Sequence, residues 1–175
     1  MKVVVLGAVG SMAIECTRDL VRTSDFDRIV LADQNIELLQ RVAQDLQDDR
    51  VSLAKIDARQ KSDLASVMDG CALFINGMPS DFSPNVTEVA IQLGLSGLDI
   101  TGLVNMFDFD TQASKRGCLI VAGVGCTPGI TNVLARYGSN QLDTVEEINI
   151  YFAAWRPIAL SPGPPLSSLF LDPTG

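Results

Sequence analysis

Histidine is absent from the 175 residues. Any chemistry that needs a proton carrier near neutral pH must therefore use a carboxylate, a lysine, a tyrosine, a thiol or water. The four cysteines, Cys16, Cys71, Cys118 and Cys126, form no C-x-x-C pair. That removes the usual zinc and dithiol signatures, so no metal site is expected and the thiols read as the reduced cysteines of a cytoplasmic protein. Basic residues are few, 13 against 21 acidic ones for a net charge of −8, which argues against nucleic acid or an anionic membrane as the main partner. Long apolar runs are missing as well. The N-terminal run stops at Leu6, too short for a signal-peptide core, and no stretch approaches the roughly 18 residues of a membrane helix. What is present, 47% hydrophobic and 19% charged residues, is the balance of a globular domain with a real core.

Short β-branched runs recur at Val3–Leu6, Ile29–Ala32, Val51–Ile56, Cys71–Ile75 and Cys118–Ala122. They are almost continuously apolar, as strands buried on both faces must be. Helical spacing fills the intervals. Ile14, Cys16, Leu20 and Val21 line one helix, and Ile36, Leu39, Val42 and Leu46 line the next, with Asp33 or Asn35 as its cap. Ser62–Met68 is a short third helix before Gly70, and Val86, Val89, Ala90 and Leu93 mark a fourth before Gly94. Ser96–Asp99 reads as another short strand and Phe107–Lys115 as another helix. Such alternation predicts an α/β fold, a Rossmann-like doubly wound parallel sheet with right-handed crossovers.

After about residue 125 the pattern changes. Pro128 opens a helix over Gly129–Tyr137 from its first position and Gly138 closes it. Val145–Trp155 then alternates, with Ile148, Ile150 and Phe152 on one face, and reads as the first strand of a different sheet. Pro157, Pro162, Pro164, Pro165 and Pro173 crowd around Leu166, Leu169 and Phe170 beyond it. The expectation is a cofactor-binding domain over residues 1–143 and, over 144–175, the truncated start of a second α/β domain. A natural extended tail is the alternative.

Chemistry is carried by the strand ends, because ligands of an open parallel sheet sit outside the carboxyl ends of its strands. Val3–Leu6 runs into Gly7, Ala8, Val9, Gly10, Ser11, Met12 and Ala13, a strand, a tight turn and a helix start. Glycines let the backbone approach a pyrophosphate, and the first free N–H groups of the helix point at its charge. The spacing is G-x-x-G-x-x-A, with Val9 where the standard fingerprint has its second glycine. Asp33 ends the second strand roughly 20 residues on, where an acid accepts both ribose hydroxyls of an adenosine. Its competing role is the helix cap. A carboxylate there repels a 2′-phosphate, so NAD is favoured and NADP is the alternative. Gln34 and Asn35 add no positive charge, and Arg59 is the nearby hint to the contrary. Asp57 and Ala58 follow the third strand at the adenine edge, unless Asp57 caps the helix near Ser62. Asn76, Gly77, Met78 and Pro79 follow the fourth, where the backbone passes the nicotinamide ribose, with a plain turn as competitor. Asp99, amid Gly97, Thr101 and Gly102, is the candidate catalytic residue, orienting substrate or relaying a proton. Its alternative is to bond the local N–H groups of Thr101 and Gly102. Cys126 precedes a helix N-terminus in a glycine-rich turn, but with no histidine to activate it pocket lining is its expected role.

Val3–Ala13, Val30-Leu31-Ala32-Asp33, Asp57-Ala58, Leu98-Asp99-Ile100-Thr101-Gly102, Gly125-Cys126-Thr127-Pro128-Gly129-Ile130-Thr131-Asn132, Tyr137-Gly138 and Leu142-Asp143-Thr144-Val145 resemble the N-terminal half of the saccharopine dehydrogenase-like family, in particular its lysine 6-dehydrogenase branch. The resemblance implies an NAD(P)-dependent oxidoreductase acting at the carbon–nitrogen bond of a small amino-acid substrate. It further implies a second domain for substrate and homodimerisation, and a chain that here carries mainly the cofactor part. A non-catalytic NAD(P)-binding sensor or scaffold is the alternative, since fold does not fix function. A short-chain-dehydrogenase-type enzyme is set aside because its Tyr-x-x-x-Lys pair is missing: Gln141 stands four residues after Tyr137 and Trp155 four after Tyr151.

Overall fold

The computed structural model describes residues 1–101 and 104–151. Strand β1 (Lys2–Leu6) leads through the glycine turn into helix α1 (Ser11–Thr23), followed by β2 (Arg28–Asp33), α2 (Ile36–Leu46), β3 (Val51–Lys55) and α3 (Lys61–Met68). The second half runs β4 (Leu73–Asn76), α4 (Ser83–Leu93), β5 (Gly97–Asp99), α5 (Asp110–Arg116), β6 (Ile120–Ala122) and α6 (Ile130–Ser139). Neighbouring strands are parallel in the order β3-β2-β1-β4-β5-β6. This is the doubly wound order, with its switch point between β1 and β4.

The run Val3-Val4-Val5-Leu6 is wholly apolar because β1 is covered twice. Val4 and Leu6 enter a cluster with Leu64, Met68, Phe74, Val86 and Ala90, under α3 and α4. Val3 and Val5 enter the opposite one with Ala13, Ile29, Leu31, Leu39 and Ile75, under α1 and α2. All four residues have 0% exposure, so the central strand is a spine shared by two cores. Arg50 ties the rim below: it pairs with Asp48 and donates to the carbonyls of Val21 in the last turn of α1 and of Ser24 and Phe26 after it.

Of the two caps expected for α2, Asn35 serves, its Oδ1 accepting the Leu38 N–H at 3.0 Å. Other local expectations are corrected. The inward edge of α1 is Ala13 and Thr17, with Cys16, Leu20 and Val21 only part-buried beside them. Thr17 is tolerated there because its hydroxyl bonds the Ala13 carbonyl at 2.8 Å. Phe107–Lys115 is not one helix: a 3₁₀ segment, Val104–Phe109, precedes α5. Pro128 lies before the helix rather than at its first position, since Gly129 is the N-cap of α6, and the helix continues through Gly138. Within Val145–Tyr151 no strand forms, and these side chains are exposed. Gly102, Phe152–Trp155 and the proline-rich stretch with Leu166, Leu169 and Phe170 lie outside the described residues. No helix among the described residues is long and apolar enough to cross a membrane.

Candidate functional site

The C-terminal ends of β1 and β4 meet at the switch point, where Leu6 and Asn76 are register partners. Gly7 has φ +70°, and its N–H bonds the Ala32 carbonyl at 2.8 Å, anchoring the turn to β2. A β-carbon at Gly7 would stand 2.9 Å from the Met78 nitrogen and 2.7 Å from Met78 Cγ. One at Gly10 would stand 3.2 Å from the Gly7 carbonyl oxygen. The turn is thus a cradle that side chains would fill. Gly10 is the N-cap of α1 and makes no side-chain cap bond. The N–H groups of Ser11, Met12 and Ala13 therefore lack intrahelical acceptors, and no acidic residue occupies that first turn. A negatively charged group is what such a terminus favours.

The unusual spacing has a physical reading. Val9 packs part-buried against the cluster under α1 and α2, so its side chain leaves the turn free. Close helix–strand approach, the task of the third glycine in the standard fingerprint, is managed by Ala13 and Gly77. A β-carbon on Gly77 would lie 2.9 Å from that of Ala13. Ser11 and Met12 are exposed at the helix start.

Asp33, at the end of β2, accepts the Asn35 N–H on Oδ1 at 3.0 Å, and its second oxygen bonds no described residue. Beyond β2 and β3 lies an open groove of about 770 Å³ lined by Gln34, Asn35, Glu37, Lys55, Asp57 and Arg59 among others. Asp57 does not cap α3. Its carboxylate holds Arg59 in a two-pronged pair, with Nη2 to Oδ2 at 2.7 Å and Nε to Oδ1 at 2.9 Å. Its own N–H bonds Asp63 Oδ2 at 3.0 Å, and the Ala58 carbonyl accepts from Asn85. Bonding to Arg59 pushes the Asp57 carboxyl below its usual range. The pair is therefore complete above ordinary carboxylate pKa values and is lost only as pH falls through the depressed one. Arg59→Gln should move the Asp57 midpoint upward in a carboxyl NMR titration, part of the way back, since the backbone N–H of residue 59 still bonds Oδ1. An unmoved midpoint would show that the pair does not form in solution.

Asp99 and Asn76 end β5 and β4 as register partners, both with 0% exposure. Asn76 Nδ2 donates to Asp99 Oδ2 at 2.7 Å, while Asp99 Oδ1 accepts the Thr101 N–H at 2.9 Å. Asp99 thus bonds Thr101, and enclosed as it is, it offers no surface for a substrate to touch. This amide–acid pair was not foreseen from the sequence, although Asn and Asp closing adjacent apolar runs are its signal. Met78 is buried, while Pro79 opens the 3₁₀ turn Ser80–Phe82. Cys126 is exposed in the turn before α6. Among the described residues no group of three or more potential ligands could hold a metal.

The family model described as saccharopine dehydrogenase NADP binding domain matches residues 3–121. The chain belongs to that family. As a saccharopine dehydrogenase NADP-binding domain, it is similar in fold to apo saccharopine dehydrogenase (L-Glu forming) from Saccharomyces cerevisiae, at 20% identity and TM-score 0.68. That likeness covers 80% of this chain and 31% of the yeast chain, so the chain spans about a third of that enzyme. A Gfo/Idh/MocA family oxidoreductase from Vibrio cholerae matches over 81% of this chain and 42% of its own, at 15% identity and TM-score 0.60. An NADPH-dependent quinone oxidoreductase from Escherichia coli, complexed with NADPH, matches over 70% and 47%, at 16% identity and TM-score 0.53.

Proposed function

We propose that this saccharopine dehydrogenase-like domain binds NAD across the β1–β4 switch point, with NADP as the weaker alternative. We propose further that it is the cofactor-binding part of an oxidoreductase acting at the carbon–nitrogen bond of an amino acid. The observation that carries the reading is the cradle at Gly7 and Gly10, closed by Gly77 and facing the uncapped N-terminus of α1. The pyrophosphate is held by that turn and by the N–H groups of Ser11 and Met12, with Val9 packed behind them. Asp33 accepts the adenosine ribose hydroxyls through the oxygen its Asn35 contact leaves open. Gln34, Asp57 and Ala58 border the adenosine, and Asn76, Gly77, Met78 and Pro79 border the nicotinamide half. When bound, the nicotinamide supplies the hydride acceptor or donor, and the chain's part is to orient it and exclude water.

The same reading puts the end of the cofactor domain near residue 143 and the start of a substrate and dimerisation domain after it. An amino-acid substrate, a role in lysine metabolism, a homodimeric whole protein and a cytoplasmic setting belong to it too. The family supports the first three, and the free cysteines support the setting.

Calorimetric titration with NAD and NADP tests the cofactor reading. A ribose contact to a charged acceptor is worth about 1.5–3 kcal/mol. Asp33→Ala should therefore weaken NAD about 10- to 100-fold. Asp33→Ser with Gln34→Arg should reverse the preference toward NADP. Unchanged affinities in both variants would refute the ribose role. Amine-dependent reduction of NAD(P) by a longer protein containing this domain separates the oxidoreductase from a non-catalytic sensor.

A further inference from the structure

We propose that Asp99 is a positioning residue for the nicotinamide half of the dinucleotide, acting through Asn76 on the Gly77–Met78 backbone; the inference rests on the cofactor reading above. A fully buried acid beside a fully buried amide is costly in a core, where an apolar pair of similar size is often at least as stable. The two groups face the loop that touches the glycine turn. Both Asp99 oxygens accept, Oδ1 from the Thr101 N–H and Oδ2 from Asn76 Nδ2, so the Asn76 amide turns its NH₂ toward Oδ2. That fixes the other end of the amide. Asn76 Oδ1 is left aimed at the Met78 N–H and accepts it at 3.1 Å.

The Met78 peptide groups are gripped from a second side. Thr101 Oγ1 lies 3.2 Å from the Met78 carbonyl oxygen and 3.2 Å from Asp99 Oδ1, two acceptors that share its single proton, while the Thr101 N–H on Asp99 holds the residue beneath that carbonyl. Ser83, at the start of α4, closes the set 3.4 Å from Asn76 Nδ2. The held segment is the one that limits the cradle, since the Met78 nitrogen stands 2.9 Å from where a Gly7 β-carbon would be. A shift of a few tenths of an ångström in Met78 would change the floor of the turn. The adenosine end, at Asp33 and Asp57, lies across β1 and β2 and shares none of these bonds.

Exchange of polarity supplies the test. Asp99→Asn can donate as well as accept, so it frees the Asn76 amide to flip and release Met78. The double variant Asn76→Asp/Asp99→Asn restores a donor facing an acceptor and keeps an acceptor for the Met78 N–H. Affinities for NAD and for adenosine, which lacks the phosphate and so probes the ribose and adenine contacts alone, are measured by titration calorimetry and NMR shift mapping on the whole chain. The expected result is NAD binding at least ~10-fold weaker in Asp99→Asn, adenosine binding within ~2-fold of the parent, and NAD binding recovered to within ~3-fold in the double exchange. Thr101→Val, which removes only the hydroxyl, provides a milder case if Asp99→Asn does not fold, with NAD weakened ~3-fold and adenosine unmoved. Parental NAD binding in these variants, equal loss of NAD and adenosine, or no recovery in the exchange would each overturn the assignment. Failure of the unaltered chain to bind NAD would remove the cofactor reading itself, a distinct outcome.

Discussion

Gly7→Ala should abolish useful dinucleotide binding, with NAD affinity reduced at least ~100-fold, equivalent to about 2.7 kcal/mol. Two independent penalties meet at this position. The backbone has φ +70°, a left-handed conformation that costs a residue with a β-carbon about 1–2 kcal/mol. The added carbon would also stand 2.9 Å from the Met78 nitrogen and 3.1 Å from the Gly77 carbonyl carbon, both backbone atoms that no rotamer change can move. Met78 Cγ, at 2.7 Å, can rotate away, but the peptide groups cannot. The turn must shift, and with it the path of the chain into α1, whose first N–H groups are the proposed pyrophosphate ligands. Calorimetry with NAD reads the loss, and circular dichroism with a thermal melt shows whether the sheet survives. A folded Gly7→Ala protein that binds NAD as the parent does would remove the glycine turn from the site. Gly10→Ala makes a graded comparison, since φ at Gly10 is −69° and its closest added contact is 3.2 Å, so a smaller loss is expected.

The difference between these two glycines also shows what was legible in the sequence. Gly7 and Gly10 were visible as a turn after an apolar strand, and the alternation of elements was enough to give a parallel doubly wound sheet. Strand ends, and so the list of candidate residues, followed from where each apolar run stopped. The roles of particular polar groups were not legible, because Asp and Asn serve as ligands and as local backbone partners with the same composition. Asp33 and Asn35 look interchangeable as caps in the chain, yet Asn35 takes the helix and leaves one Asp33 oxygen open. Arg59 reads as a hint of NADP in the chain, yet Asp57, two residues earlier, holds it in an ion pair. The Asn76–Asp99 contact joins residues 23 apart, and only the parallel register of β4 and β5 brings them together. Val9 was read as a departure at a glycine position. Its side chain instead packs into the cluster under α1 and α2, where a valine costs the turn nothing. The alternating run after Val145 was the least informative, since period-two patterning needs a partner strand to become a sheet.

The largest effect on the fold itself is expected at Phe74. Among the described residues it is the bulkiest fully buried side chain, and it belongs to the cluster formed with α3 and α4. Phe74→Ala should destabilise by about 3–5 kcal/mol, a loss of buried contacts plus the cavity left behind. For a chain of this size that is a fall in melting temperature of about 6–20 °C. Part of Phe74's environment is built by Gly97 on β5, the register partner of Phe74. A β-carbon on Gly97 would stand 2.2 Å from Phe74 Cδ1 and 2.5 Å from the Phe74 carbonyl oxygen. The ring therefore lies over a strand with no side chain beneath it, which explains a glycine inside a short buried strand where it otherwise weakens pairing. Gly97→Ala alone should destabilise by overpacking, about 1–3 kcal/mol. Combining it with Phe74→Ala tests the contact, because neighbouring substitutions couple while distant ones add. Removing the ring relieves the 2.2 Å clash but leaves the carbonyl at 2.5 Å. The double variant should therefore be less destabilised than the sum of the two single ones, though still below Phe74→Ala. Strict additivity in urea melts would mean that Gly97 and the Phe74 ring do not meet in solution.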